Sequence, residues 1–370
     1  MENSRYQHII NELKTIGNYR FLPNHTDMQG IDLSSNDYLG LNSNANLQEE
    51  FISSFAGKLP GFGAGSSRLL SGNGKQYQVL EQTIGNLYQH RQCLVYNSGY
   101  HANIGILPAI AGKNDLIVAD KFVHASIIDG ALLSQAKLLR YGHLNYQQLE
   151  RIIAENKKKV ENIFIVSESL FSMDGDFCDL QQLAGIKKKY HCYLYIDEAH
   201  ALGVWGHNGL GLAEKEGLIE EIDFLVGTFG KALASVGAFV VCNAMFKDYL
   251  VNRSRPLIFT TGLPPVNLAW TNFVFSKLSA IAHLREKLNA LIESVATILA
   301  IKAQSQIVPL ILGDNEKAIR LSGKLRQHGF YVLPIRYPAV PKGTARLRFS
   351  LRANINPTDL LPLKHLIATI

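Results

Sequence analysis

The sequence YLYIDEAH occupies residues 193–200, and the organisation of the whole chain follows from it. Its first four residues form an apolar and aromatic run, which predicts a short buried parallel strand. The next four place Asp197 and His200 three residues apart, directly after that strand. Because ligands of open α/β sheets bind beyond the carboxyl ends of the strands, a carboxylate and an imidazole are expected to face a ligand site.

A second stretch, IDFLVGTFGK at residues 222–231, repeats this design. Its apolar run ends in a loop with two glycines, in which Thr228 and Lys231 lie three residues apart. A lysine can form a Schiff base with an aldehyde, and a carboxylate such as Asp197 can hold a protonated ring nitrogen. The two strand ends together therefore carry the protein groups that a pyridoxal 5'-phosphate (PLP) enzyme needs.

The composition is that of a globular protein and excludes several other classes. The 370 residues, 47% hydrophobic and 18% charged, suffice for one large core and a smaller domain. The four scattered cysteines have no metal-ligand spacing, which favours a cytoplasmic protein without a metal site. No apolar run is long enough to span a membrane. The net charge of +6 comes from dispersed Lys and Arg, so no nucleic-acid partner is expected.

Glycine-rich stretches at residues 61–68 and 71–74 match neither common nucleotide-binding loop. Neither has the G-x-G-x-x-G pattern of a dinucleotide fold, which counts against a dehydrogenase. Gln76 and Ala232 stand where a phosphate-binding loop of a nucleotide hydrolase needs Ser or Thr. We expect instead a loop that lets a ligand or a partner subunit approach the backbone closely.

Apolar runs alternate with helical patterns through most of the chain, which predicts a mostly parallel sheet with helices on both faces. Asn97-Ser98-Gly99-Tyr100 links a strand to a helix, a junction that can point N–H groups at a phosphate. His124 also follows a strand end, where a histidine is structural more often than functional. The polar loop at 167–176 follows another strand.

Two prolines, Pro264 and Pro265, predict a domain junction. We therefore predict an N-terminal segment at 1–35 with a helix over 5–20, a large domain at 36–265, and a small domain at 266–370. A long helix over 266–303 is expected to bridge the two domains. In a final strand, Arg346 and Arg348 share one face, which either clamps a carboxylate or is simply solvated.

Five segments together resemble the α-oxoamine synthase family of PLP-dependent fold type I enzymes, almost from end to end. They are SSNDYLGL (34–41), FSMDGD (171–176), DEAHALG (197–203), TFGK (228–231) and GTARLRF (343–349). The resemblance implies a large α/β domain, with a mostly parallel seven-stranded sheet flanked by helices, and a smaller α+β C-terminal domain. It also implies a homodimer whose active sites are shared between subunits.

The resemblance assigns catalytic roles to four residues. Lys231 would form the Schiff base with PLP and later move protons at the amino-acid α-carbon. Asp197 would pair with the pyridine nitrogen, His200 would bind the phenolic oxygen, and His124 would stack on the ring. The other residues expected around PLP and its phosphate are Ser98, Gly99, Tyr100, Glu168, Ser172, Thr228 and, from the neighbouring subunit, Thr261.

The same resemblance implies a decarboxylative condensation of an amino acid with an acyl thioester. The likeness is greatest to members that use L-alanine and pimeloyl-CoA or pimeloyl-acyl carrier protein. Sister enzymes that use glycine or serine stay open as alternatives, as does a non-catalytic scaffold on the same fold. Four residues are expected on the substrate side: Asn36, Arg348 for the substrate carboxylate, Arg346 as second choice, and Arg20 for the acyl substrate.

The chain departs from the family pattern in two places. Residues 232–235 read ALAS where relatives carry a glycine-rich stretch, and Arg68, Leu69 and Leu70 stand where relatives have smaller residues. We expect these changes to narrow the acyl tunnel or alter the mobility of the loop. They bear on the preferred acyl length, and the chemistry is unaffected.

Overall fold

The structure is a computed structural model that describes residues 4–16, 19–20, 22 and 30–368. Its α-helices are α1 (Ser4–Thr15), α2 (Ala45–Ser53), α3 (Lys75–Leu87), α4 (Gly99–Ile110), α5 (Ala125–Leu133), α6 (Tyr146–Asn156), α7 (Leu180–Tyr190), α8 (Leu212–Lys215), α9 (Ala244–Arg253), α10 (Arg255–Ile258), α11 (Pro265–Lys277), α12 (Ala282–Leu299), α13 (Asn315–Gln327) and α14 (Pro362–Ala368). Its strands are β1 (Ile31–Asp32), β2 (Gln92–Tyr96), β3 (Leu116–Asp120), β4 (Lys137–Tyr141), β5 (Ile163–Glu168), β6 (Tyr193–Asp197), β7 (Phe224–Thr228), β8 (Ala238–Cys242), β9 (Ile307–Gly313), β10 (Phe330–Tyr331), β11 (Leu333–Ile335) and β12 (Ala345–Ser350).

The large domain is built on a seven-stranded sheet with the order β2-β8-β7-β6-β5-β3-β4. Strand β8 runs antiparallel to both of its neighbours, and the other strands are parallel to one another. All residues of β3 and β5 are buried, as expected of parallel strands covered by helices on both faces. The predicted fold class is confirmed, and the carboxyl ends of β3, β5, β6 and β7 meet at one edge.

A second, three-stranded antiparallel sheet has the order β11-β12-β9. Its central strand β12 is buried along its whole length, and helix α13 packs against this sheet. The start of the chain also joins this region, because β1 pairs in parallel with β10. The amide N–H groups of Ser350 and Ala353 donate to the carbonyls of Leu33 and Tyr38, both at 2.8 Å.

Two predicted helix boundaries are wrong, and one strand is missing from the prediction. The helix expected over 5–20 ends at Thr15. The helix expected over 266–303 is two helices, α11 and α12, because Arg285 donates to the carbonyl of Leu278 at 2.8 Å and stabilises the break between them. Strand β4 is absent from the prediction, because this partly exposed edge strand lacks a continuous apolar run.

Helices in the described part of the chain are too short or too polar to cross a membrane. The four cysteines are all free thiols, and each is buried. No disulfide therefore holds this fold together.

Candidate active site

A cavity of about 220 Å³ opens at the carboxyl ends of the central strands. Eight of the predicted site residues line it: Gly99, Tyr100, His124, Glu168, Asp197, His200, Thr228 and Lys231. The parallel order of β3, β5, β6 and β7 explains why residues so far apart in sequence meet here.

Lys231 lies beside His200, with 2.9 Å between Nζ and Nε2. Burial lowers the pKa of Lys231 to about 8, although the negative charges of Asp197 and Glu168 oppose the shift. A lower pKa leaves a useful fraction of the amine neutral at physiological pH. Neutral amines attack aldehydes, so Lys231 is suited to bind the PLP aldehyde.

The His200 ring is held on its other side by Tyr38, whose hydroxyl lies 2.6 Å from Nδ1. Burial and the charge of Lys231 lower the pKa of His200 well below its usual value. Burial also raises the pKa of Tyr38 to about 12. Both groups are therefore neutral at physiological pH, and His200, which lines the cavity, can form a hydrogen bond with an oxygen there. Tyr38 lies in the SSNDYLGL segment, whose sequence pattern predicted no role for it.

Asp197 is fixed by two hydrogen bonds. The N–H of Ala199 donates to Oδ1, and the amide of Asn103 donates to Oδ2, both at 2.9 Å. The Tyr195 hydroxyl donates in turn to Asn103 Oδ1 at 2.5 Å. This fixed carboxylate has the chemistry to pair with a protonated ring nitrogen. Sequence reasoning missed Asn103, although a buried asparagine in the apolar helix α4 is the signal that could have found it.

His124 is the N-cap of α5, and its backbone N–H donates to Glu168 Oε1 at 2.6 Å. Its Nδ1 lies 2.8 Å from the hydroxyl of Ser126, which also accepts from Asn103. Burial lowers the pKa of His124. Burial and the charge of Asp197 raise the pKa of Glu168 to about 8. A neutral imidazole is therefore held at the cavity wall, as stacking on a PLP ring requires.

The opposite end of the cavity suits an anion. Helix α4 begins at Gly99, with Ser98 as its N-cap, and a Cβ atom added at Gly99 would lie 3.7 Å from Thr228. Free backbone N–H groups and the positive end of the helix dipole favour a phosphate there. Together with the amine, the fixed carboxylate and the histidine wall, this junction fits PLP. Tyr100 lines the cavity, and its hydroxyl donates to Asp129 at 2.5 Å.

Arg348 joins the cavity residues through Tyr38. Its Nη1 and Nη2 donate to Asn36 Oδ1 at 3.1 and 3.2 Å, and its Nη2 lies 3.4 Å from the Tyr38 hydroxyl. Its Nε donates to the carbonyl of Ser172 at 2.5 Å. Asn36, Ser172 and Arg348 therefore form one cluster next to His200.

Arg346 is engaged elsewhere. Its Nη1 forms a 2.5 Å ion pair with Asp174 and a 3.3 Å hydrogen bond to the carbonyl of Met173. Arg346 and Arg348 are only 3% and 9% exposed, so the solvated face that the sequence left open is excluded. The order of choice for the substrate carboxylate, with Arg348 before Arg346, agrees with this geometry and stays a prediction.

Two predicted residues lie away from the cavity. Thr261 is exposed, forms a β-bridge with Ser67, and accepts a 2.7 Å hydrogen bond from Asn97 at its carbonyl. Arg20 lines a different cavity of about 590 Å³, together with Tyr19. The role of Thr261 in a neighbouring subunit and the role of Arg20 with the acyl substrate stay predictions.

The Arg68 side chain turns back into its own domain. It forms a 2.8 Å ion pair with Glu81, donates to the carbonyl of Val95, and lies over the Tyr77 ring. Leu69 and Leu70, in contrast, are 49% and 79% exposed. Glu81 therefore holds Arg68, and the expectation that residues 68–70 narrow the acyl tunnel or alter the mobility of the loop stays a prediction.

Comparisons with known proteins identify the family of this chain. The family model described as aminotransferase class I and II matches residues 28–367. A protein of Pasteurella multocida, provisionally named 8-amino-7-oxononanoate synthase, is 48% identical over 371 residues and 96% of each chain. A protein of Neisseria meningitidis serogroup A with the same provisional name is 50% identical over 336 residues, 89% of this chain and 88% of its own.

Solved structures give the same result. A serine palmitoyltransferase of Sphingomonas wittichii is 28% identical, with a TM-score of 0.88 over 100% of this chain and 98% of its own. An 8-amino-7-oxononanoate synthase of Francisella tularensis is 30% identical, with a TM-score of 0.78 over 93% of this chain and 98% of its own. The resemblance seen in the sequence is confirmed. The chain belongs to the aminotransferase class I and II family and is a PLP-dependent enzyme of fold type I.

Proposed function

We propose that the protein is an 8-amino-7-oxononanoate synthase, which joins L-alanine to a pimeloyl thioester with loss of CO2 in biotin synthesis. The observation that carries the proposal is the identity of 48–50% with relatives of that provisional name over most of the chain. The cavity provides the matching chemistry, because an amine, a fixed carboxylate and an anion site meet in it. The transferred acyl group leaves its thiol, and the amino acid loses its carboxyl group as CO2.

PLP, when bound, supplies an electron sink for negative charge at the α-carbon of the amino acid. Asp197 strengthens this sink, because a carboxylate at the ring nitrogen keeps that nitrogen protonated. Lys231 takes the α-proton and returns a proton after the new carbon–carbon bond has formed. Its pKa of about 8 suits both steps, because proton transfer is most efficient when the pKa is near the working pH.

Arg348 holds the carboxylate of the amino acid in this proposal. A guanidinium binds a carboxylate through two parallel hydrogen bonds, which orients the substrate as well as binding it. Asn36 and the Ser172 carbonyl keep Arg348 in place, at 3.1 and 2.5 Å. His200 and Tyr38, 2.6 Å apart, offer a neutral hydrogen-bonding pair beside it.

We also infer a homodimer with shared active sites, located in the cytoplasm. Thr261 lies on an exposed loop next to large apolar side chains, since Phe62, Leu70 and Phe259 are 76%, 79% and 69% exposed. Exposed apolar side chains of this size, lying together, are typical of a protein interface.

The four free thiols support a location in a reducing compartment such as the cytoplasm.

The acyl donor is a CoA or an acyl carrier protein thioester. Arg20 and Tyr19 line the cavity of about 590 Å³ together with residues 334–339, which supports a site for the acyl substrate. Lys and Arg outnumber Asp and Glu by 37 to 31, which favours an anionic donor of either kind. The carrier is distinguished by comparing the two thioesters directly.

A sister activity is the second candidate, because a serine palmitoyltransferase superposes with a TM-score of 0.88. That enzyme's name specifies serine as the amino donor, and glycine is the donor of other sister enzymes. A non-catalytic scaffold is the weakest alternative, since Lys231, Asp197 and His200 are all present and together in one cavity.

The test is a visible absorbance titration of the purified holoenzyme with L-alanine, glycine and L-serine. We expect a spectral change with L-alanine at the lowest concentration. Mass spectrometry should then detect 8-amino-7-oxononanoate on addition of pimeloyl-CoA or pimeloyl-acyl carrier protein. A stronger response to serine or glycine would assign the protein to a sister activity, and a chain that binds no PLP would overturn the proposal.

A further inference from the structure

His143 lies outside the cavity, between two carboxylates. Its Nδ1 is 2.9 Å from Asp120 Oδ1, and its Nε2 is 2.9 Å from Asp176 Oδ2. Carboxylates only accept hydrogen bonds, so an imidazole that bonds to two of them must donate from both nitrogens. Phe122 stacks on the ring at 4.4 Å, and Phe171 meets it edge-on at 4.5 Å. His143 is therefore a protonated imidazolium in a defined orientation.

The charges around the ring agree with this protonation state. Burial alone would lower the pKa of His143, but the hydrogen bonds and charges of Asp120 and Asp176 outweigh it and raise the pKa to about 9. Asp120 has further partners in the N–H groups of Phe122 and Leu144, at 2.8 and 2.9 Å. Within the described residues, Asp176 Oδ1 is buried without a hydrogen-bond partner. The Asp176 side chain is 24% exposed, and among the described residues His143 is the cation that pairs with it.

The two carboxylates belong to segments that approach the cavity from different strands. Asp120 ends β3, four residues before His124, which lines the cavity. Asp176 ends the loop of residues 171–176, whose backbone is closed by hydrogen bonds from the N–H of Phe171 to the Asp176 carbonyl and from the N–H of Gly175 to the Phe171 carbonyl, both at 3.0 Å. His143 thus joins this loop to the turn that carries His124.

The loop is also the support of the arginine pair. The Ser172 carbonyl accepts from Arg348 Nε at 2.5 Å, and the Asp174 carboxylate pairs with Arg346 Nη1 at 2.5 Å. A displacement of the loop would therefore move the guanidinium of Arg348. Asn36 and Ser350 also hold Arg348, and Ser305 donates to the Gly175 carbonyl of the loop at 2.7 Å. His143 adds the link between this loop and the turn that carries His124.

We propose that His143, held between Asp120 and Asp176, is a positioning residue that fixes the loop of residues 171–176 and so sets Arg348 for the carboxylate of the amino-acid substrate. The inference rests on the proposed function, because it takes Arg348 as the group that binds this carboxylate. His143 itself touches neither the substrate nor PLP.

The test compares the His143→Gln holoenzyme with wild type and with His283→Gln, a control at an exposed histidine of α12. Glutamine can donate to one of the two carboxylates through its NH2 group, but its carbonyl oxygen cannot donate to the other, and the positive charge is lost. We expect the Kd for L-alanine, from absorbance titration, and its KM to rise about tenfold. We expect kcat to fall less than about threefold and the KM of the thioester to stay unchanged, because only carboxylate binding is affected.

A second variant, Asp176→Asn, removes the negative charge that pairs with His143 on the loop side and keeps the Asp120–His143 pair. Its Kd should rise as in His143→Gln, and the double variant should be no weaker than the weaker single variant. If His143→Gln does not fold, the Kd of Asp176→Asn for L-alanine tests the inference alone. A wild-type Kd in both variants would overturn the inference, and so would equal changes in kcat and in both KM values.

The proposed function can fail separately. If wild-type holoenzyme responds to glycine or L-serine and gives no signal with L-alanine, the synthase assignment is wrong. The same comparison of variants is then made with the donor that binds, because all three amino acids carry the carboxylate that Arg348 is expected to hold.

Discussion

The candidate site has two halves that are assembled in different ways. The carboxyl ends of β6 and β7 supply the strand-end half, and the arginines of β12 supply the β12 half. Asp197 and Lys231 lie at or just beyond the ends of their strands, so the parallel sheet alone brings them together. Arg346 and Arg348 lie within a strand and are covered by a loop whose contacting residues are 172 to 176 positions away in sequence. Topology places the first half, and a long-range contact places the second.

The largest effect on turnover is expected in the strand-end half, from the loss of Lys231. Lys231→Ala should lower turnover by at least about 10⁴-fold, because no other amine lines the cavity within the described residues. Lys113→Ala, at an exposed lysine, is the matched control and should keep full activity. Product formation by mass spectrometry is the measurement. Retention of wild-type turnover in Lys231→Ala would remove the strand-end half from the reaction.

Asp197→Asn should lower kcat by about 10²- to 10³-fold, because an amide does not keep the ring nitrogen of PLP protonated. Bound PLP should remain visible by absorbance, since Lys231 is intact. Asp248→Asn, at an exposed aspartate, is the control. An unchanged kcat would show that Asp197 and its partner Asn103 serve only the fold.

The β12 half is tested by Arg348→Lys and Arg346→Lys together. Lysine keeps the charge and loses the two-pronged geometry. We expect the Kd for L-alanine to rise about 30-fold in Arg348→Lys, about 2 kcal/mol, and less than about fivefold in Arg346→Lys, which is bound to Asp174. Absorbance titration gives both constants. The reverse order would make Arg346 the substrate group.

The smallest effect is a pH dependence at Lys231. Binding of PLP to the apoenzyme needs the neutral amine, and a pKa of about 8 leaves about one tenth of it neutral at pH 7 and about nine tenths at pH 9. The rate of PLP binding should therefore rise about tenfold from pH 7 to pH 9 and then level off. Arg348→Lys should give the same profile, because it keeps the nearby charge. A rate that still rises above pH 10 would contradict the lowered pKa.

The sequence predicts the strand-end half well. A short apolar run marks a buried strand, and Asp197 or Lys231 follows that run, so its place at the end of the sheet can be predicted. It leaves the arginine face of β12 open, because alternation along a strand says which residues share a face and nothing about what covers it. Tyr38 and Asn103 were missed for the same reason. Their partners His200 and Asp197 lie 162 and 94 residues away, and only the folded chain brings them within hydrogen-bonding distance.

The pairing of β1 with β10 has a consequence for the order in which the site is assembled during synthesis. The residues that line the cavity of about 220 Å³ have all left the ribosome once Lys231 has emerged. Asn36 and Tyr38 are made before these groups, yet their partner Arg348 follows Lys231 by 117 positions. The nascent large domain can therefore assemble the groups around Lys231 well before Arg348 joins Asn36 and Tyr38, and translation of β12 completes this cluster.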